Sequence, residues 1–467
     1  MTGQTAQAHL LPVTRRRALK GLGLGLTGAL LAACQPTPAP TPTAAPKSEP
    51  AQATKEPEPT KVPATAAPVV NIAYWHGWSV DTEKKTMEDG VKLFNEAHPT
   101  IRVEPISGKT NDQLLAAVAA GDPPGAAIIW SAQTLAQWAH TGVIQDLNDR
   151  VKASGLKEQD YYRAALDICR FGGKFYGLPV EIDTYMVYYN KDLFKAEGLD
   201  PEKTPKTAQE LWEYAFKLTK VDDKGTITQI GFTGGNQMDE AMVYLYGGRY
   251  WDPATGQPTA NDPANVAAYT DLLAYYKKFG AANISAFRAQ KADNPLGDLF
   301  LVGKVAMEMG GDWITNYIPR FAPKMSWGLF PLPPAAGKEH LAYTAPIDGA
   351  IYIIPTGAKH PQESWEYVRW MAQSKEVSCV LQKGWANASP LKGVALDPNC
   401  LPNKEYQAFL DVMAKDKMVV WPTLPVSAFY NTERKAARDR IYYEKQTPQQ
   451  ALDELQKKVL DELSKAK

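Results

Sequence analysis

The sequence predicts an α/β protein of two lobes, and three observations predict it. The chain has 467 residues, more than one hydrophobic core of roughly 250–300 residues accommodates. From Val69 short apolar strands alternate with amphipathic helices, a βαβαβα rhythm that argues for a largely parallel sheet. Leu178 to Tyr189 is one long extended stretch, long enough to cross from one lobe to another.

The N-terminus reads as an address. Thr14-Arg15-Arg16-Arg17-Ala18-Leu19-Lys20 resembles a twin-arginine export signal. The apolar run Gly21 to Ala33 has 13 residues, too short to span a bilayer that needs about 20. It ends in Leu31-Ala32-Ala33-Cys34, which resembles a lipobox. That resemblance implies a signal peptide over 1–33, cleavage before Cys34, lipid on its sulfur and a membrane anchor. Residues 34–68 form a tether: ten of the 34 residues after Cys34 are proline, a composition that favours extended polyproline and buries no core. At ~3.1 Å per residue it reaches roughly 100 Å at most.

Bulk composition narrows the chemistry. Net charge is zero, with no basic footprint for nucleic acid. Histidines 9, 76, 98, 140, 340 and 360 are scattered and no CxxC pair occurs, so neither a metal site nor a cofactor is expected. Beyond Cys34, Cys169, Cys379 and Cys400 remain, either as three buried thiols or with a Cys379–Cys400 disulfide.

The body opens with a strand, Val70 to Trp75, running into the loop His76-Gly77-Trp78-Ser79. Asp81 caps a helix whose Met87, Val91 and Phe94 share a face, and Pro99 stops it. Ile101 to Glu104 alternates like a strand. Asn111 caps a helix with Leu114, Leu115 and Val118, and Ala126 to Trp130 is a buried strand. Thr207-Ala208-Gln209-Glu210 is a capping-box pattern, and Asp262-Pro263 opens a helix that Gly280 closes. Val305 to Met309 and Gly349 to Pro355 read as strands, Pro361 to Met371 as a helix. Thr447-Pro448-Gln449-Gln450 caps a last amphipathic helix.

Several of these stretches, in order, resemble the extracellular solute-binding proteins, the family of maltose-binding protein. They are Gly177-Leu178-Pro179 through Tyr188-Tyr189-Asn190-Lys191; Gly303-Lys304-Val305-Ala306-Met307 to Gly311-Asp312-Trp313; Trp327-Gly328 to Pro331-Leu332-Pro333; and Pro361 to Tyr367. Gly121-Asp122-Pro123-Pro124 resembles the family's turn, although Gly125 replaces the usual aspartate and Ala208 the usual tryptophan.

The resemblance implies the two-lobe periplasmic-binding-protein fold, type II-like, with lobes that close on ligand about extended crossovers. Crossings are expected near Asp183, Pro334 and Trp421, making lobe 1 residues 69–182 plus 335–420 and lobe 2 residues 183–334 plus 421–467. It also implies a monomer that hands a sugar or oligosaccharide to an ABC permease.

Sugars present flat C–H faces and a rim of hydroxyls, met by aromatic planes and by carboxylates or amides. Candidates that fall after strands are Trp75, His76 and Trp78, then Trp130 and Gln133. By resemblance, Asp183 is a sugar ligand with Tyr185 on its face. Asn236 and Gln237 sit at the spacing of a ligand loop. Trp313, beside Asp312, and Tyr430 of Ser427-Ala428-Phe429-Tyr430 stack on sugar. Asp348 precedes a strand. Two other readings compete: a secreted carbohydrate-active enzyme, against which stands the lack of GxSxG, HExxH and GxxxxGK[ST] motifs, and a binding protein that feeds a sensor kinase.

Overall fold

The structure is a computed structural model that describes residues 68–235, 237–291 and 297–466. The export signal, Cys34 and the tether as far as residue 67 lie outside the described residues, as does Asn236. The principal strands are β1 (Val70–Trp75), β2 (Ile101–Ile106), β3 (Ala126–Trp130), β4 (Leu178–Pro179), β5 (Asp183–Asn190), β6 (Lys220–Val221), β7 (Ile227–Gly234), β8 (Val305–Gly311), β9 (Trp327–Phe330), β10 (Ala345–Asp348), β11 (Ala350–Ile353) and β12 (Met418–Val420).

Two sheets organise two cores. The first has the order β2-β1-β3-β11-β4. Ala126 to Ile129 of β3 are all buried, the continuous apolar run of a strand covered on both faces. Met87, Val91 and Phe94 of the helix Asp81–Ala97 face the same core, as their spacing requires. The second sheet has the order β12-β10-β5-β8-β7-β6, with β9 also paired to β5. The expected parallel pairing holds for β2-β1-β3, but β11 runs antiparallel to both β3 and β4. In the second sheet β8 is parallel to β7 and antiparallel to β5. Strands that arrive from the other lobe enter in the opposite direction, and mixed sheets result.

The chain passes between cores at Ile182–Asp183, close to the expected place. The expected return at Pro334 is corrected. Ala335 and Ala345 pack in the second core, the Ala335 N–H donates to the Leu245 carbonyl at 3.1 Å, and β10 pairs with β5. The chain returns only at Asp348–Gly349. An added Cβ on Gly349 would lie 2.5 Å from the Glu181 carbonyl oxygen, so two crossing segments approach too closely for any side chain. The third passage also comes earlier than Trp421: the helix Gln407–Met413 gives Phe409 and Val412 to the second core, Leu410 and Met413 to the first.

Helix starts follow the local signals. Thr110 and Thr447 form capping boxes with Gln113 and Gln450, and Thr207 accepts from the Glu210 N–H. Thr110, not Asn111, is the cap of its helix, and Asp81 is not a cap but the first residue of its own, preceded by Val80, which makes no side-chain cap. Cys379 and Cys400 are joined in a disulfide, while Cys169 is buried and free.

Candidate functional site

The crossovers place the ends of β1, β3 and β8 around one cleft between the lobes. After β1 the chain turns through Gly77, where a Cβ would stand 2.3 Å from the Trp130 ring; glycine lets the loop lie against that indole. Trp78 then meets Trp130 edge-on at 5.4 Å and lies flat on Trp385, at the end of the helix Lys375–Trp385, with centroids 4.0 Å apart. Trp385 Nε1 donates to the Glu83 carbonyl at 3.1 Å, which fixes this indole wall to the first lobe.

The second lobe supplies the facing wall. Trp313 follows β8 and its ring covers Gly311, where a Cβ would fall 1.9 Å from the indole. Its edge contacts Tyr185 at 6.0 Å, with the ring planes 87° apart. One turn further, Tyr317 donates to Glu83 Oε1 at 2.6 Å, and Arg320 to Thr82 Oγ1 at 2.9 Å.

Three cavities follow this seam. The first, about 220 Å³, is lined by Trp78, Glu83, Trp130, Glu181, Asp183, Trp313, Tyr317 and Asn387. It shares Glu83, Trp313 and Tyr317 with a second of about 580 Å³ that reaches Tyr185 and Gln237. Gln237 in turn borders a third of about 180 Å³, with Gln133, Asp348 and Trp421. Shared walls make them one extended groove with an aromatic-rich centre.

Carboxyls concentrate at its floor. Glu181 is 3% exposed, and its Oε1 accepts from the Ala350 N–H. Asn387 donates to Asp183 and, at 3.3 Å, to Asp312 Oδ1; the Ala388 N–H donates to Asp312 Oδ2 at 3.0 Å. Burial pushes the Asp183 carboxyl up to about 6, against hydrogen bonds from Glu181 and Asn387 that pull it down. Burial first, then neighbouring negative charge, raises Glu181, Asp312 and Asp348.

The structure thus gathers Trp78, Trp130, Asp183, Tyr185, Gln237 and Trp313 around the groove, with Gln133 and Asp348 at its third chamber. Asp312 stands behind it, wholly buried, as a tie between lobes. Three expectations are corrected. Tyr430 is wholly buried and its hydroxyl donates to the Tyr250 carbonyl at 2.7 Å, so no ring face is left for a ligand. His76 is 2% exposed between Tyr74 and Trp78, and burial pushes it down to about 4. Trp75 is half-buried against the first core, Lys109 Nζ sits 4.5 Å over its ring, and it lines none of the three chambers. Glu83, Tyr317, Trp385 and Asn387 were not singled out by the sequence. Their signal is faint: Asn387 follows Ala386, a non-glycine helix cap in the left-handed region at φ 63°.

Residues 78–377 match the bacterial extracellular solute-binding protein family. The chain belongs to that family. This solute-binding protein is similar to the maltotriose-binding protein of Pyrococcus abyssi, 25% identical over 268 residues, which are 56% of this chain and 54% of that one. It is also similar to the sn-glycerol-3-phosphate-binding periplasmic protein UgpB of Salmonella typhimurium, 30% identical over 166 residues, 33% of this chain and 36% of the relative. The chain thus spans about half, or less, of the curated relatives it matches. Among solved structures it resembles CpMnBP1 with mannotriose bound: 29% identity, TM-score 0.74, 83% of this chain and 99% of that one. A Listeria monocytogenes ABC substrate-binding protein in complex with cycloalternan shares the fold at 20% identity, TM-score 0.70, covering 85% and 99%. The family is one of extracytoplasmic binding proteins, and among the described residues no helix is long and apolar enough to cross a membrane.

Proposed function

We propose that this protein captures a sugar or oligosaccharide in the cleft by closing two lobes over it, and delivers it to an ABC-type permease. One observation carries the reading: Trp78 and Trp130 of the first lobe and Trp313 of the second face one cavity whose floor holds Glu181, Asp183 and Asn387. Indoles cover the apolar faces of a sugar ring, and carboxylate and amide oxygens accept from its hydroxyls. An extended groove suits more than one sugar unit, in keeping with the maltotriose and mannotriose ligands named for its relatives. Contacts made from both lobes favour the closed form, because a ligand shifts an equilibrium only through differential affinity.

Trp75, His76 and Tyr430 drop out of the binding set, while Gln133, Gln237 and Asp348 serve the third chamber. Asn236, beside Gln237, stays a candidate from its spacing. The lobes divide as the two cores do, with 349 to about 413 returning to the first. The protein acts without turnover, as a monomer, anchored by lipid on Cys34 after twin-arginine export. A thermal-shift screen of residues 69–467 against a carbohydrate panel tests the reading. A true ligand at 100 times its Kd stabilises by ~2.7 kcal/mol, and no response to any sugar overturns it.

A further inference from the structure

The floor of the first chamber holds more negative charge than its walls answer. Glu181 and Asp183, two residues apart on the crossing segment, both line this chamber of about 220 Å³, so their carboxyls face one small space. Glu181 Oε2 is buried and meets no donor in the protein. Asp312 joins them through Asn387, and Asp348 and Glu83 add charge from β10 and from the helix Asp81–Ala97. The other titratable groups facing them, Tyr185 and Tyr406, are neutral phenols. Among the described residues no lysine, arginine or histidine lines this chamber. His76 lies behind Trp78 and Arg320 is held on Thr82, while in the adjoining chambers Lys291 pairs with Asp298 and Arg434 with Asp239, next to Lys435. Nor do these acids form a group that would hold a metal ion, among the described residues.

In an open cleft, water screens such a pair. Closing the lobes over a solute removes that water, and two adjacent carboxylates cannot both stay ionised without a counter-charge. A sugar brings hydroxyls but no positive charge. We infer that solute capture is proton-linked: Glu181 and Asp183 share one proton in the filled cleft, and a neutral solute enters together with it. The proton bridges Glu181 Oε2 to the Asp183 carboxylate, leaving the remaining oxygens to accept from the solute. This rests on the sugar reading and adds its regulation: acidity outside the membrane loads the protein and alkalinity unloads it.

The test is calorimetry of the whole body, residues 69–467, with maltotriose and mannotriose between pH 5.5 and 8. Each pH is run in two buffers of different ionisation enthalpy. The expected result is uptake of up to one proton per solute near neutrality, with affinity falling up to tenfold per pH unit as pH rises. In Glu181→Gln the uptake disappears, and whatever affinity remains is flat with pH. Binding that is pH-independent and releases no buffer heat overturns the proton linkage while leaving the sugar reading intact. Glucosamine binding more tightly than its neutral counterparts without proton uptake also overturns it, the solute then supplying the charge. If neither oligosaccharide binds at any pH, the titration is repeated with the sugar that the carbohydrate panel selects, and only silence across the whole panel removes the inference together with the sugar reading.

Discussion

The Tyr317 hydroxyl and Glu83 Oε1, 2.6 Å apart, fasten a helix of the second lobe to the first turn of a helix of the first, across the mouth of the groove. A hydrogen bond to a charged acceptor contributes about 1.5–3 kcal/mol, and this one exists only when the lobes are together. Tyr317→Phe is therefore expected to loosen the closed, sugar-loaded form and to weaken binding by about tenfold or more. Small-angle scattering reads the first effect as a larger radius of gyration, calorimetry the second. An unchanged radius and affinity would mean the contact is incidental to closure.

Trp313 and Tyr430 separate binding from packing. Trp313→Ala should fold normally and lose on the order of 1–3 kcal/mol of binding, roughly tenfold to a hundredfold in affinity. Tyr430→Phe strips a buried hydroxyl from the Tyr250 carbonyl. It should cost about 1–3 kcal/mol of stability and leave affinity alone. Denaturant melts beside calorimetry on both variants check the pair; the opposite pattern would return Tyr430 to the groove.

The second core hides an ion pair. Arg434 and Asp239 are each about 2% exposed and bonded to one another, and Tyr269 donates to Asp239 at 2.7 Å. Arg434→Met leaves the buried Asp239 only Tyr269 and a longer contact to Arg438 at 3.9 Å, and removing one partner of such a pair costs up to about 3–5 kcal/mol. Urea unfolding should show that loss; a variant as stable as the parent would refute it.

Stability should have two opposed pH limbs. His76 falls to about 4 from an ordinary value near 6.5, so its contribution is complete above 6.5 and drains away as pH falls towards 4. Asp183 rises to about 6, so its contribution is complete below its ordinary range near 4 and is lost as pH climbs through 6. Asp183→Asn should therefore melt higher than the parent at pH 7–8, not at pH 4, while binding sugar more weakly. A melting temperature that falls equally at both pH values would contradict this.

Anchoring is tested separately. Cys34→Ser should release the protein into the soluble fraction with its fold intact, and retention in membranes would exclude lipid on that sulfur.

Strands and helix starts were legible because they are local. The run Ala126 to Trp130, the caps at Thr207 and Thr447, and the glycines after helices each act through a few neighbouring residues. Trp78, Trp130 and Trp313 were legible because aromatic residues after strands stand where α/β sheets open to solvent. The same rule misplaced Trp75, His76 and Tyr430, since which way a ring turns depends on its packing: Lys109 covers Trp75, Tyr74 and Trp78 enclose His76, and Tyr250 holds Tyr430. Glu83 and Asn387 reach the groove from the ends of two helices far apart in the chain, with Trp385 stacked behind Trp78, and no spacing links the two ends. The lobe border moved from Pro334 to Asp348 because β10 pairs with β5, a register that residues 335–345 do not announce.

The position of β11 bears on how the protein is made. β11 lies between β3 and β4, yet it is synthesised well after both. At about 5–20 residues per second, the 220 positions from Trp130 to Ala350 take roughly ten to forty seconds to emerge. Throughout that interval β3 and β4 have no strand between them, and β3 offers an unpaired, wholly apolar edge. The first lobe therefore cannot be finished vectorially from its N-terminus. Its assembly waits on a strand delivered from beyond the second lobe.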